Sequence, residues 1–199
     1  MSSRDRAQMM GGRTGLAGAW DRLRYREVYR QGFGLILVAV TAWFATPGHQ
    51  RVIWGLAMAL LGQAWRTFAA GTIFKNRQLA STGAYAVVRH PLYLGNVLIL
   101  GGFCLAAGNL WLLGVAVVFF LIWYPAAVRY EDRKLANIFG DEWQAWSQGT
   151  GAILPRRIRW RSLLDTRWSA LQSLIRNGEL YISIYLAACG AWLWLNAHG

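Results

Sequence analysis

The chain changes from polar to apolar within one stretch, Gly83-Ala84-Tyr85-Ala86-Val87-Val88-Arg89-His90-Pro91-Leu92-Tyr93-Leu94-Gly95-Asn96. The proline biases His90 before it away from helical backbone angles, and Pro91 itself suits the first position of a helix. Arg89 and His90 are therefore expected at the mouth of a helix. The free N–H groups of such an end, with a cation beside them, favour a carboxylate or a phosphate.

Two further residues of this stretch fit a binding site. Tyr93 falls in the first turn of the predicted helix, and Gly95 lacks a side chain, which allows close approach of a ligand or of another backbone. The same residues also fit a membrane-entry signal, with a snorkelling Arg89, an interfacial His90 and a helix-starting proline. Both interpretations stay open on the residues alone.

A second charged stretch follows about forty residues later, Arg129-Tyr130-Glu131-Asp132-Arg133-Lys134-Leu135. Glu131 and Asp132 either balance the neighbouring basic charges at a solvated helix end or accept hydrogen bonds from a cofactor. The turn Gly108-Asn109 is so short that the helices on either side must be antiparallel neighbours. We therefore expect Glu131 and Asp132 to lie beside Arg89 and His90.

Together the two stretches resemble the isoprenylcysteine carboxyl methyltransferase and phospholipid methyltransferase families of membrane enzymes. The shared pattern is Gly-x-Tyr, Arg-His-Pro-x-Tyr-x-Gly, a paired acid, a Leu and then Phe139-Gly140-Asp141-Glu142-Trp143 before Pro155. The resemblance implies transfer of a methyl group from S-adenosylmethionine to a lipid-soluble acceptor that enters from the bilayer. The acceptor stays open among a phospholipid amine, a prenylated cysteine carboxylate and another small hydrophobic molecule.

The resemblance also implies roles for individual residues. Arg89 is the candidate for holding an anionic group, and Glu131 is the second candidate catalytic residue. The candidate cofactor-binding residues are Tyr85, His90, Tyr93, Gly95, Asn96, Glu131 and Asp132. No metal site is predicted, because the three histidines are too scattered in sequence.

The composition is that of a polytopic membrane protein. Hydrophobic residues make up 55% of the 199 residues and charged residues 15%, with 12 Trp. The sequence predicts an all-α membrane helix bundle of about five transmembrane helices with a cytoplasmic cofactor site. The apolar runs place these spans at residues 33–46, 52–68, 92–107, 110–128 and 180–195.

The net charge of +12 does not indicate a nucleic-acid-binding protein, because the basic residues lie between apolar runs. If Arg66 marks the inner end of the second span, Arg51 is the one Lys or Arg on the opposite side. The positive-inside rule then places the N-terminus and both motifs in the cytoplasm. Arg66 itself fits either a snorkelling anchor or an inward-facing group that reaches a phosphate.

We divide the chain into three parts: a basic, interfacial segment at 1–31, a membrane methyltransferase core at 32–155, and a basic amphipathic segment with an extra transmembrane helix at 156–199. Residues 156–176 alternate basic and apolar residues, which predicts an amphipathic helix on the membrane surface. The last span lies outside the resemblance. Cys104 and Cys189 are predicted as packing residues within spans.

Two other functions remain possible. One is a sterol-reductase-like membrane oxidoreductase that uses NADPH, since such enzymes share a similar helical architecture and a related His-Pro stretch. The other is a non-catalytic lipid-binding membrane protein. Cofactor binding separates all three hypotheses, and the sequence gives no indication of the oligomeric state.

Overall fold

The described part of the computed structural model, residues 27–46, 48–73 and 78–197, is all-helical, which confirms the predicted class. The long helices are α1 Glu27–Trp43, α2 His49–Ala70, α3 Pro91–Ala107, α4 Leu110–Gly149 and α6 Glu179–Asn196. Shorter elements are a 3-10 turn at Gly83–Ala86, α5 at Trp160–Leu164 and a single π-helical turn at Leu171–Arg176. The predicted N-terminal segment 1–31 lies outside the described residues, apart from 27–31, which begin α1.

Helices α2, α3 and α6 begin and end within three residues of the predicted spans, whereas α1 begins six residues earlier than predicted and α4 continues past residue 128 to Gly149. Pro91 occupies the first turn of α3, as the sequence predicts, with His90 as the preceding cap residue. Among the described helices, α4 is long and apolar enough to cross a membrane, and α3 is a shorter apolar helix. The count of about five spans stays a prediction.

Helices α2 and α3 pack through facing glycines. Gly55 meets Gly102, and Gly62 meets Gly95, so the two helices run antiparallel with their backbones in contact. A Cβ atom added at Gly102 would lie 2.4 Å from the Gly55 carbonyl oxygen, closer than van der Waals contact allows. Small residues of this kind let membrane helices approach closely. The contact with α2 therefore takes up the space next to Gly95.

We expect Gly102→Ala to destabilise the protein by roughly 1–3 kcal/mol, because the added methyl group overpacks a contact made of backbone atoms. Gly114→Ala on α4 is the matched control, since nothing lies within 4 Å of a Cβ at that position. Thermal unfolding of both variants in lipid nanodiscs checks this. Equal melting temperatures for the two variants would show that α2 and α3 are not packed this closely.

The connection between α3 and α4 is the predicted two-residue turn. Gly108 has a left-handed backbone with φ of 65°, and the Asn109 side chain accepts hydrogen bonds from the N–H groups of Trp111 and Leu112. This turn ends α3 and caps α4 within two residues. The prediction that the two helices are antiparallel neighbours is confirmed.

Helix α4 is interrupted at Gly140, whose φ of 50° and ψ of −122° lie outside the helical region. The helix resumes after this break and continues until Gly149. The chain then returns to the first motif. The Arg89 and His90 N–H groups donate to the carbonyl oxygens of Gly151 and Ala152 at 2.7 and 2.9 Å.

The predicted amphipathic helix at 156–176 is wrong as a continuous element, because only α5 and the π-helical turn form there. Polar groups of this region instead bond the carbonyl oxygens at the end of α2. The Trp168 indole N–H and the Ser173 hydroxyl both donate to Thr67, and the Asn177 amide donates to Ala70. The last carbonyls of a helix lack partners within the helix, so these contacts favour a folded-back chain.

Candidate functional site

His90 lies between the two acidic side chains of α4. Its Nδ1 atom is 3.3 Å from Glu131 Oε2, and its Nε2 atom is 3.0 Å from Asp132 Oδ1. The imidazole is 3% exposed. An ionised carboxylate only accepts hydrogen bonds, so two ionised carboxylates at these distances favour the imidazolium form of His90, in which both ring nitrogens donate. The two predicted motifs therefore meet at this histidine.

The protonation of this cluster follows from its contacts. Burial alone would lower the pKa of His90, but its hydrogen bonds to Asp132 and Glu131 outweigh burial and raise the pKa above its ordinary value. For Glu131, burial would raise the pKa, and the hydrogen bonds from His90 and Tyr93 lower it below its ordinary value. The Glu131 side chain keeps 36% of its surface exposed. The cluster is thus a paired, charged network.

Wild-type protein should be more stable than His90→Gln at pH 6, and the difference should shrink towards pH 9. A raised folded-state pKa gives stabilisation that is fully present below the ordinary pKa of 6.5 and is lost as the pH rises through the raised value. Glu131 stays ionised across this range because its pKa is lowered, so its protonation affects stability only at more acidic pH. Melting temperatures of both proteins across the range test this. A difference that does not change with pH would exclude a protonated His90.

Arg89 joins three segments of the protein. One of its terminal nitrogens donates to Asp132 Oδ2 at 3.0 Å, and the other donates to the carbonyl oxygens of Ser147 and Thr150 at 3.0 and 3.1 Å. These bonds hold the end of α4 against the mouth of α3. The structure gives Arg89 protein partners, and its predicted role in holding an anion stays a prediction.

Tyr93 and Arg30 complete the surroundings of Glu131. The Tyr93 hydroxyl donates to Glu131 Oε1, and its ring stacks on His90 with centroids 5.3 Å apart. The Arg30 guanidinium lies 4.6 Å from the centre of the Tyr93 ring and 3.8 Å from Glu131. Arg30 is not among the predicted site residues, because its sequence context is that of a basic interfacial segment.

The remaining candidate residues lie near this cluster in different surroundings. Tyr85 is buried in a second apolar cluster with Trp146, and burial followed by the nearby Glu131 charge raises the pKa of its hydroxyl. Trp143 packs against the same cluster. Asn96 accepts a hydrogen bond from Arg66. Gly95 lies in the contact with α2 and is not open to a ligand.

A second polar network lies inside the bundle and includes Glu179, which is not among the predicted site residues. Arg66 pairs with Glu179 at 2.7 Å, and Glu179 is 1% exposed. The Gln63 amide donates to Glu179 at 3.1 Å and to Ser183 at 2.9 Å. The inward-facing interpretation of Arg66 is confirmed, but its partner is a protein carboxylate. The sequence signal that could have identified Glu179 is an acidic residue at the start of an apolar helix.

A cavity of about 110 Å³ lies between α1, α2, α3, α4 and α6. Its polar lining consists of Arg30 and Gln31 near the start of α1, Arg66 near the end of α2, Asn96 in the second turn of α3 and Tyr124 within α4. The rest is mostly aliphatic and aromatic, including Val38, Leu100, Phe120 and Leu186. Arg30 belongs both to this lining and to the Glu131 surroundings. The charged cluster is therefore next to the polar end of an apolar cavity.

The cluster can bind groups that donate hydrogen bonds. A carboxylate offers about four acceptor positions, and the exposed part of Glu131 leaves acceptor capacity beyond its bonds to His90 and Tyr93. Hydroxyl and amino groups of a nucleoside-type cofactor fit that capacity. Among the described residues, no group of three His, Cys, Asp or Glu side chains is arranged to hold a metal ion.

Comparison with known proteins identifies related chains. A family model described as phospholipid methyltransferase matches residues 29–142, which include both motifs. The chain is 33% identical over 125 residues to the cobalt-zinc-cadmium resistance protein CzcN of Cupriavidus metallidurans, a match that covers 62% of this chain and 56% of that protein. It is 32% identical over 154 residues to the nickel-cobalt-cadmium resistance protein NccN of Alcaligenes xylosoxydans xylosoxydans, covering 70% and 68%. No solved structure matches the chain at a significant level.

Proposed function

The chain belongs to the phospholipid methyltransferase family, and on that basis we propose that it is an integral membrane enzyme that uses S-adenosylmethionine to methylate a lipid-soluble acceptor. The observation that carries the proposal is the position of the His90, Glu131 and Asp132 cluster. It joins both family motifs at the polar end of a largely apolar cavity. A cofactor at the cluster and an apolar acceptor in the cavity would then be neighbours.

When bound, S-adenosylmethionine supplies a methyl group on a positively charged sulfur, which keeps the electron pair as the acceptor atom bonds to the methyl carbon. The protein must align the reactants and exclude water. In this proposal Glu131 accepts hydrogen bonds from cofactor hydroxyl or amino groups. His90 and Tyr93 fix the orientation of that carboxylate, while Asp132 and Arg89 hold the end of α4 in place.

An acceptor amine would first have to lose a proton, and Glu131 is the carboxylate near the cavity that could take it. A carboxylate or thiolate acceptor needs no such step. The two candidate catalytic residues therefore have different tasks. Glu131 binds the cofactor and is available as a base, and Arg89 keeps the two motifs together and is the candidate for an anionic cofactor group.

The membrane arrangement is part of the proposal. Helix α4 exposes a row of large apolar side chains along its first half, including Leu110, Trp111, Val118 and Leu121. Such a face suits contact with lipid. The distribution of basic residues supports a multi-pass protein with the N-terminus and the cluster on the cytoplasmic side, where nucleotide-derived cofactors are available.

Transfer of a radiolabelled methyl group tests the proposal. Protein in lipid nanodiscs is incubated with S-adenosylmethionine labelled on its methyl group and a lipid extract of the expression host, and label in the organic phase is counted. We expect more label in the organic phase than in a heat-inactivated sample. The Glu131→Gln substitution should lower the amount of transferred label at least tenfold. Glu142→Gln is the matched control, because this exposed acid lies beyond the break in α4. Label that never exceeds the inactivated sample with any lipid fraction would contradict the proposal.

A further inference from the structure

We propose that the cavity between α1, α2, α3, α4 and α6 binds an amphiphile with one apolar chain and an anionic head, and that the head lies at Arg30. The inference rests on the proposed function in one respect: if that function is correct, the amphiphile is the acceptor of the methyl group. The evidence for the inference does not depend on the proposed function. That evidence is the lining of the cavity, the charge balance around it and the position of α6.

The lining divides the cavity into a polar end and an apolar interior. Arg30 and Gln31 come from the first part of α1, and Asn96 comes from the second turn of α3. Deeper residues of the same helices, such as Val38 and Leu100, are apolar and buried. A ligand with a polar head at one end and an apolar chain therefore matches both parts of this lining.

The charges at the polar end favour an anion. Two guanidinium groups, those of Arg30 and Arg66, line the cavity, and none of the described lining residues is acidic. With His90 protonated, the described networks that border it hold four cationic groups and three carboxylates: Arg30, Arg66, Arg89 and His90 against Glu131, Asp132 and Glu179. A protonated amine would add a fifth cation here, whereas a carboxylate would balance the excess.

Among the described arginines that border the cavity, Arg30 is the one whose carboxylate partner lies farthest away. Its contact with Glu131 is 3.8 Å, longer than a hydrogen bond, whereas Arg66 and Arg89 have partners at 2.7 and 3.0 Å. The Arg30 side chain is nevertheless only 8% exposed. A buried guanidinium whose described carboxylate partner lies beyond hydrogen-bond distance, at the polar end of an apolar cavity, is a suitable partner for a carboxylate head.

Helix α6 forms one wall of this cavity although it lies outside the residues that the family model matches. Ile182 and Leu186 line the interior, and Glu179 at the start of the helix is held by Arg66. The width of the cavity is therefore set by a helix that is not part of the shared core. Side chains at these two positions determine which apolar chains fit.

Calorimetry with decanoate and decylammonium tests the inference, using protein in phosphatidylcholine nanodiscs and empty nanodiscs as the reference. The two probes have the same chain and opposite charge. We expect decanoate to bind at least ten times more tightly than decylammonium, and Arg30→Gln to reduce that ratio to about threefold or less. Equal binding, tighter binding of decylammonium, or no binding of decanoate above the empty discs would overturn the inference.

A second pair of variants tests the location. Ile182→Trp should weaken decanoate binding at least tenfold, because the indole fills the cavity. Leu121→Trp on the exposed face of α4 should leave it unchanged. Equal effects of the two variants would overturn the assignment to this cavity, and if Ile182→Trp does not fold, the charge preference of the wild type still decides. Binding of S-adenosylhomocysteine is measured in the same sample. A failure of the cofactor proposal, seen as no binding of S-adenosylhomocysteine, is then distinguishable from a failure of the acceptor inference, seen as no binding of decanoate.

Discussion

Replacing Glu131 with glutamine should weaken the binding of S-adenosylhomocysteine by roughly ten- to a hundredfold. A charge-assisted hydrogen bond contributes about 1.5–3 kcal/mol, and each 1.4 kcal/mol is about tenfold in affinity. Glu131 is the partly exposed acid of the cluster, and its orientation is fixed by His90 and Tyr93. Glutamine keeps the size of the side chain but removes its charge and replaces one acceptor with a donor.

Two further variants separate cofactor binding from surface charge. Glu131→Asp should lose less affinity than Glu131→Gln, since the charge remains and only the reach is shorter. Glu142→Gln should stay within twofold of wild type, because this acid is exposed. Titration calorimetry at fixed salt, with thermal unfolding as a check of folding, measures all three. A Glu131→Gln affinity within twofold of wild type would mean that the acid pair only balances charge at a helix end.

The second large effect is expected at the Arg66–Glu179 pair. Removing one partner of a buried ion pair costs about 3–5 kcal/mol, because the other charge is left buried and unpaired. Arg66→Met should therefore lower the melting temperature by roughly 6–20 °C in a protein of this size. The substitution should also weaken the attachment of α6 to α2, because Glu179 connects the start of α6 to α2.

A double variant tests whether the loss comes from the unpaired charge. Replacing both partners, as in Arg66→Met with Glu179→Leu, should restore much of the stability that the single variant loses. Arg129→Leu, at an exposed position of α4, should change stability by under about 0.5 kcal/mol. Thermal unfolding in nanodiscs compares the four proteins. A double variant as unstable as Arg66→Met would show that the two charges are not coupled.

Local rules of the backbone explain why much of the site could be predicted from sequence. Pro91 is restricted to the start of a helix, and Gly108-Asn109 permits only a tight reversal between α3 and α4. Those two features suffice to bring Glu131 and Asp132 beside His90. The predicted meeting of the two motifs is confirmed because it depends on a short connection and not on distant partners.

Contacts between distant parts of the chain could not be predicted in the same way. Glu179 pairs with Arg66 across 113 positions, and no spacing rule connects an acid at a helix start with an arginine so far away. The same holds for Arg30, whose contact with Glu131 depends on how α1 packs. Residues 156–176 have amphipathic spacing, but their polar groups bond the end of α2, so tertiary contacts override the periodic pattern.

A comparison of the binding of two cofactors tests the central claim. Wild-type protein in nanodiscs is titrated with S-adenosylhomocysteine and, separately, with NADPH, each followed by calorimetry. A methyltransferase with its cofactor site at the His90, Glu131 and Asp132 cluster predicts saturable binding of S-adenosylhomocysteine and none of NADPH at the same concentrations. Saturable binding of NADPH with no response to S-adenosylhomocysteine would contradict the claim and favour a reductase.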